Sequence, residues 1–160
     1  MANVKRALME RYYLDTLGKF PASYGGVDYS LKYLFVSGSW PAFDPSTQVG
    51  WRGPYLQTAA TLATQAGLAA NLTSLPAAGY LHRAFTDGEP VVLDAWGRPL
   101  VLQVSAGGVA RLLSAGPGSG VGLGRADIET LIGGNRANDD RVLYLNATTP
   151  VADMNVSCSE

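Results

Sequence analysis

The chain reads as an α+β protein, an N-terminal helix packed on a small three-stranded antiparallel sheet with long loops, and three features predict it. Charged and apolar residues recur at helical spacing from 2 to 17 and stop at Gly18 and Pro21. Two short, largely apolar runs, residues 100–104 and 109–113, flank Gly107-Gly108, and a third follows at 141–145. Glycine and proline, 19 and 9 in number, punctuate the rest without making a low-complexity linker.

Within the first segment, Arg6 and Glu10, and again Arg11 and Asp15, stand at the i,i+4 spacing that lets opposite charges meet. Val4, Ala7, Leu8 and Leu14 fall toward one side of a regular helix, and Met9, Tyr12, Tyr13 and Leu17 toward the other. A helix apolar on two sides wants two partners. Full burial would instead require partners for Lys5, Arg6, Glu10, Arg11 and Asp15.

Residues 20–54 mix aromatic rings with turn formers and are expected to wrap this helix rather than extend the sheet. Residues 30–36 fit a short helix or a strand equally well. Trp51-Arg-Gly-Pro-Tyr55 reads as an aromatic turn. Residues 56–70 are alanine-rich, and helical spacing of Leu56, Ala60, Ala63 and Ala66 predicts a helix there. Residues 71–88 read as irregular. Residues 91–93 then lead into Asp94-Ala-Trp-Gly-Arg-Pro99, where Gly97 permits a tight bend and Pro99 biases the chain toward extended geometry.

For the hairpin, Gly107-Gly108 signals a two-residue loop of the type I′ kind. That loop sets Val104 opposite Arg111 and Leu102 opposite Leu113, so Leu100, Leu102, Val104, Val109 and Leu113 share the core face. Arg111, at the same parity, is a flaw in that pattern. Sheet, loop and turns together make one domain over 1–160: 1–20 the outer helix, 21–90 helical and loop with an insertion, 91–145 the sheet and its glycine-rich loop, 146–160 a tail.

Charged residues are 16 % and the formal net charge is −1, so the basic footprint of a nucleic-acid binder is missing and no nucleic-acid partner is expected. No run approaches the roughly 18 apolar residues of a membrane-spanning helix, and the first residues carry no signal-peptide core. Cys158 is alone, which leaves no disulfide within the chain.

Chemistry-bearing patterns are few. The glycines from 116 to 124 fit neither the dinucleotide spacing nor a P-loop, and His82, the one histidine, has no nucleophile motif beside it. No catalysis is expected. Asn138-Asp139-Asp140 is different, because three oxygen-bearing side chains lie together and Asp127 adds a fourth, and calcium prefers six to eight such oxygens. Asn and Asp are also ordinary turn residues before a strand, and the EF-hand spacing is absent.

Five segments in order, "ALMERYYLDTLGKFPAS", "GWRGPYL", "DAWGRPL", "RLLSAGPGSGVG" and "NDDRVLYL", resemble the soluble part of a type II secretion major pseudopilin, a branch of the type IV pilin-like family. They span about half the chain and leave residues 57–90 and 121–137 as insertions. The resemblance implies a pilin-like fold whose long hydrophobic N-terminal helix precedes residue 1. It implies a periplasmic head of an inner-membrane-anchored subunit in a Gram-negative bacterium. Such subunits stack by their helices, as a homopolymer with minor subunits, into a filament that supports protein export. It further implies Ca²⁺ in the loop after the second strand with Asp139 and Asp140 as ligands, and Asn138, Asp127 and carbonyls near Ser114 are the further oxygens expected to join them. Gly118 stands where the family often has an aspartate. A type IV pilus subunit or minor pseudopilin is the nearest alternative, and a free-standing binding module the alternative of another class.

Overall fold

The computed structural model describes residues 1–22, 29–57, 59–61, 88–114 and 141–148. It is α+β: a helix at the N-terminus and two antiparallel sheets, one of two strands and one of three. Regular helix runs as α1 (Ala2–Ala7), a π turn (Leu8–Tyr12) and α2 (Tyr13–Asp15). The π turn changes which residues face inward. In an α-helix a four-residue step drifts by about 40°, but the wider i→i−5 ring, marked by the Tyr13 N–H on the Leu8 carbonyl, takes up that drift. Val4, Leu8, Tyr12 and Thr16 therefore form one buried stripe, with Ala7 and Asp15 beside it. The expected division into two apolar sides does not hold: Leu8 and Tyr12 are buried together, whereas Leu14 and Leu17 are 63 % and 71 % exposed.

The helix ends two residues earlier than its spacing predicts. Gly18 N–H reaches the Tyr13 carbonyl (2.7 Å) and Leu17 N–H the Leu14 carbonyl (3.3 Å), the paired closure of a Schellman motif. Leu17 holds the left-handed position with φ 54°.

The following segment wraps the helix as expected. Trp40 and Tyr55 meet the Tyr12 ring edge-on, at centroid distances of 6.4 and 5.3 Å. Residues Leu31–Leu34 form a 3₁₀ turn, started by Ser30, whose hydroxyl accepts the Lys32 N–H. The helix predicted from residue 56 is overturned at Ala60–Thr61, which is strand β1, antiparallel to β2 (Pro90–Val91). Alanine propensity is worth tenths of a kcal/mol per residue, and strand pairing overrides it here. Residues 58 and 62–70 lie outside the described residues.

The three-stranded sheet is β3 (Val101–Val104), β4 (Ala110–Ser114) and β5 (Arg141–Tyr144), in that order. Its register differs by one residue from the expected one: Val104 pairs Ala110 and Leu102 pairs Leu112. Ser105 N–H bonds the Val109 carbonyl, so the loop has three residues, and Gly108 at φ 80° supplies the left-handed closing position. That shift turns Ala110 and Leu112 inward and moves Arg111 and Leu113 to the other face. Leu100, Leu102, Val104, Ala110 and Leu112 then join Val4, Ala7, Leu8 and Tyr12 in one core. Each fully buried leucine is worth about 1.5–3 kcal/mol. On the opposite face the buried Arg111 donates from Nε to Gln103 Oε1 (2.9 Å) and from NH1 to the Tyr144 hydroxyl (3.2 Å). What looked like a flaw in the pattern is a polar cluster.

Candidate functional site

Three local structures stand out among the described residues. The first ties the helix to the aromatic turn. Asp15, buried, accepts from Arg52 NH2 at 2.6 Å and Nε at 3.2 Å, and from the Tyr55 hydroxyl at 3.0 Å. The Gly53–Pro54 peptide between them is cis, and Arg52 lies over the Phe43 ring at 4.4 Å. The expected Arg11–Asp15 pair is replaced by this forked one, because a planar guanidinium satisfies both carboxylate oxygens at once. Arg6 and Glu10 do come within 4.0 Å, both largely exposed. Burial, with the Asp15 carboxylate beside it, pushes the Tyr55 hydroxyl up to about 12. Burial likewise raises Tyr12, whose hydroxyl has no hydrogen-bond partner among the described residues.

The second is the Asp94 turn. Asp94 Oδ1 accepts from the Trp96 and Arg98 N–H groups, each at 2.9 Å, while its own N–H bonds the Arg98 carbonyl. Its other oxygen takes the Ser114 hydroxyl at 2.6 Å. One carboxylate thus fixes the turn and fastens it to the end of β4. Trp96, at the tip, is 49 % exposed.

The third is a half-open groove of about 580 Å³ where the helix exit meets the β3–β4 hairpin tip. Tyr13, Phe20, Tyr29 and Trp40 line it with rings, and Gly107 and Gly108 leave its far wall free of side chains. Lys19 stands over the Trp40 ring at 5.7 Å.

Of the residues expected to hold calcium, Ser114 is described: it is buried, and it is the Cα partner of Arg141. The last residue of β4 is therefore the cross-strand neighbour of the first residue of β5. Asp127, Asn138, Asp139 and Asp140 lie outside the described residues. Among the described residues no three His, Cys, Asp or Glu side chains cluster as a metal site, and no helix is long and apolar enough to cross a membrane. Sequence reasoning missed the groove and the Asp15 fork, whose parts lie far apart in the chain.

Compared with known proteins, the chain matches no family model, no curated protein and no solved structure.

Proposed function

We propose that the chain is the pilin-like head of a filament subunit, a pseudopilin of type II secretion, without catalytic activity of its own. It assembles through its N-terminal helix, binds calcium in the loop after β4, and stands in the periplasm. The observation that carries this reading is Leu17. Its backbone closes the helix in a left-handed conformation that costs a leucine about 1–2 kcal/mol, while its apolar side chain, 71 % exposed, gains little from burial in its own fold. Leu14, 63 % exposed, lies beside it on the same helix end. The motif order cited above makes a neighbouring subunit the partner for this pair of exposed leucines.

The test uses the full-length gene product, with the apolar helix that this proposal places before residue 1. Leu14→Glu and Leu17→Glu place a carboxylate where subunits would bury it unpaired, at a cost of several kcal/mol. Both heads are expected to melt as wild type, and filaments to be lost. Leu8→Glu, buried in this fold, is expected to unfold the head instead. Wild-type filaments from both exposed variants would return the helix to a purely internal role.

A further inference from the structure

We propose that the cleft between the helix and the aromatic turn is a receptor for one carboxylate group. It is half open, about 240 Å³ in volume, and lined by Arg11, Asp15, Arg52, Gly53, Pro54 and Tyr55. Two guanidinium groups therefore share one small concavity. The helix supplies Arg11 and the turn supplies Arg52, so the pair is made by the fold and by no local motif.

Charge is the first argument. Asp15 is the one acidic residue in the lining, and it is already engaged: its side chain is 4 % exposed, and both its oxygens accept from Arg52 or from the Tyr55 hydroxyl. Arg11 comes within ion-pair distance of no carboxylate among the described residues. Two arginines against one aspartate leave the lining with one positive charge in excess. A monoanion balances that charge. A phosphate dianion would overshoot it and bring its second charge toward Asp15, which like-charge repulsion disfavours.

Geometry is the second. A guanidinium carries five N–H donors in a fixed plane and presents them as forks that match a carboxylate. Arg52 places the fork of Nε and NH2 on Asp15, at 3.2 and 2.6 Å. That contact, together with the Phe43 ring, whose centroid lies 4.4 Å from Arg52 Cζ, holds the plane although 58 % of the side chain is exposed. The remaining N–H groups of Arg52 have no partner among the described residues. A second carboxylate can take them without displacing the first, with Arg11 as its other cation. Donors fixed before the ligand arrives lower the cost of binding it.

Size sets how much of the ligand enters. Small-molecule sites run to about 300–1,000 Å³, and this cleft falls below them, so it takes a head group and leaves the remainder in solvent. The ligand is then a short carboxylic acid or an acidic side chain of a polypeptide. The inference rests on the Asp15 fork and takes nothing from the filament reading.

Proton–nitrogen NMR of the arginine Nε–H and backbone amide signals, during titration of the chain with sodium acetate or with sodium chloride at matched ionic strength, tests it. The signals of Arg11, Arg52 and Gly53 are expected to shift and saturate with acetate and to stay in place with chloride. Arg11 is exposed, so Arg11→Ala spares the fold, and it is expected to weaken acetate binding about fivefold, the order of one partly exposed ion pair. Arg6→Ala removes the same charge from the same helix outside the cleft and is expected to leave binding unchanged. Phosphate is expected to bind more weakly than acetate. A tripeptide with blocked ends and a central glutamate separates the two sources: binding tighter than that of acetate assigns the cleft to an acidic side chain, and equal or weaker binding assigns it to a short acid. Absence of a saturable shift with acetate, equal losses in the two arginine variants, or phosphate bound more tightly than acetate would each discard the carboxylate site.

Discussion

At the scale of the residue, Asp15 shows how a charge pattern misleads. Its i,i+4 partner Arg11 is worth a few tenths of a kcal/mol on an exposed helix, whereas Arg52 and Tyr55 offer three donors to a carboxylate already buried. Asp15→Ala leaves the buried Tyr55 hydroxyl without its acceptor and is expected to cost about 1–3 kcal/mol in urea unfolding. Arg11→Ala is expected to stay within about 0.5 kcal/mol. Equal losses would mean that the helical pair matters after all. The hydroxyls of Tyr55 and Tyr12 also make an alkaline test. Their folded values are raised above the ordinary value near 10, Tyr55 to about 12, so the neutral form is favoured in the folded state. The associated stability is fully present below about pH 10 and is lost as pH climbs toward 12. Tyrosinate absorbance from these two rings should rise only together with the loss of helical circular dichroism. Early ionisation in an intact fold would contradict their burial.

Among the elements, the hairpin separates what the sequence carries from what it leaves open. Both strands and the Gly107-Gly108 turn are legible, because short apolar runs flanking paired glycines are local signals. Register is not local. Two and three residues are both common hairpin loops, and the choice moves every side chain of β4 to the other face. Arg111 was the clue, since a charge among core residues is the mark of a slipped register. The two loops make different demands: a two-residue I′ turn needs positive φ at both glycines, while the observed loop needs it only at Gly108, φ 80°. Gly107→Ala is therefore expected to be near neutral, and Gly108→Ala, with no side-chain clash to add, to cost about 1–2 kcal/mol. Comparable costs at both would restore the shorter loop. The π turn was illegible for a related reason: it keeps helical composition and changes only the phase, so Leu8 and Leu14, assigned to one side, part company.

For the whole molecule, the sheet sets the base from which the calcium reading is argued. Ser114 and Arg141 are partners across β4 and β5, so β4 ends beside the residue at which β5 begins. Acidic residues clustered before a strand were visible in the sequence, but their service to a metal or to a turn is a property of three-dimensional spacing and no periodicity encodes it. Ser114 separates the two roles. Its hydroxyl donates to Asp94, and the calcium reading draws on main-chain carbonyls near Ser114 rather than on this side chain. Ser114→Ala is therefore expected to lower stability by about 1 kcal/mol, equally with and without calcium. Asp139→Ala and Asp140→Ala are expected to abolish the calcium dependence itself. A ligand bound only by the folded state adds about 2.7 kcal/mol at a hundredfold excess over Kd, so chelation should lower Tm in wild type and in Ser114→Ala but not in the aspartate variants. A wild-type Tm that ignores chelator and millimolar calcium alike would reduce Asp139 and Asp140 to turn residues at the start of β5.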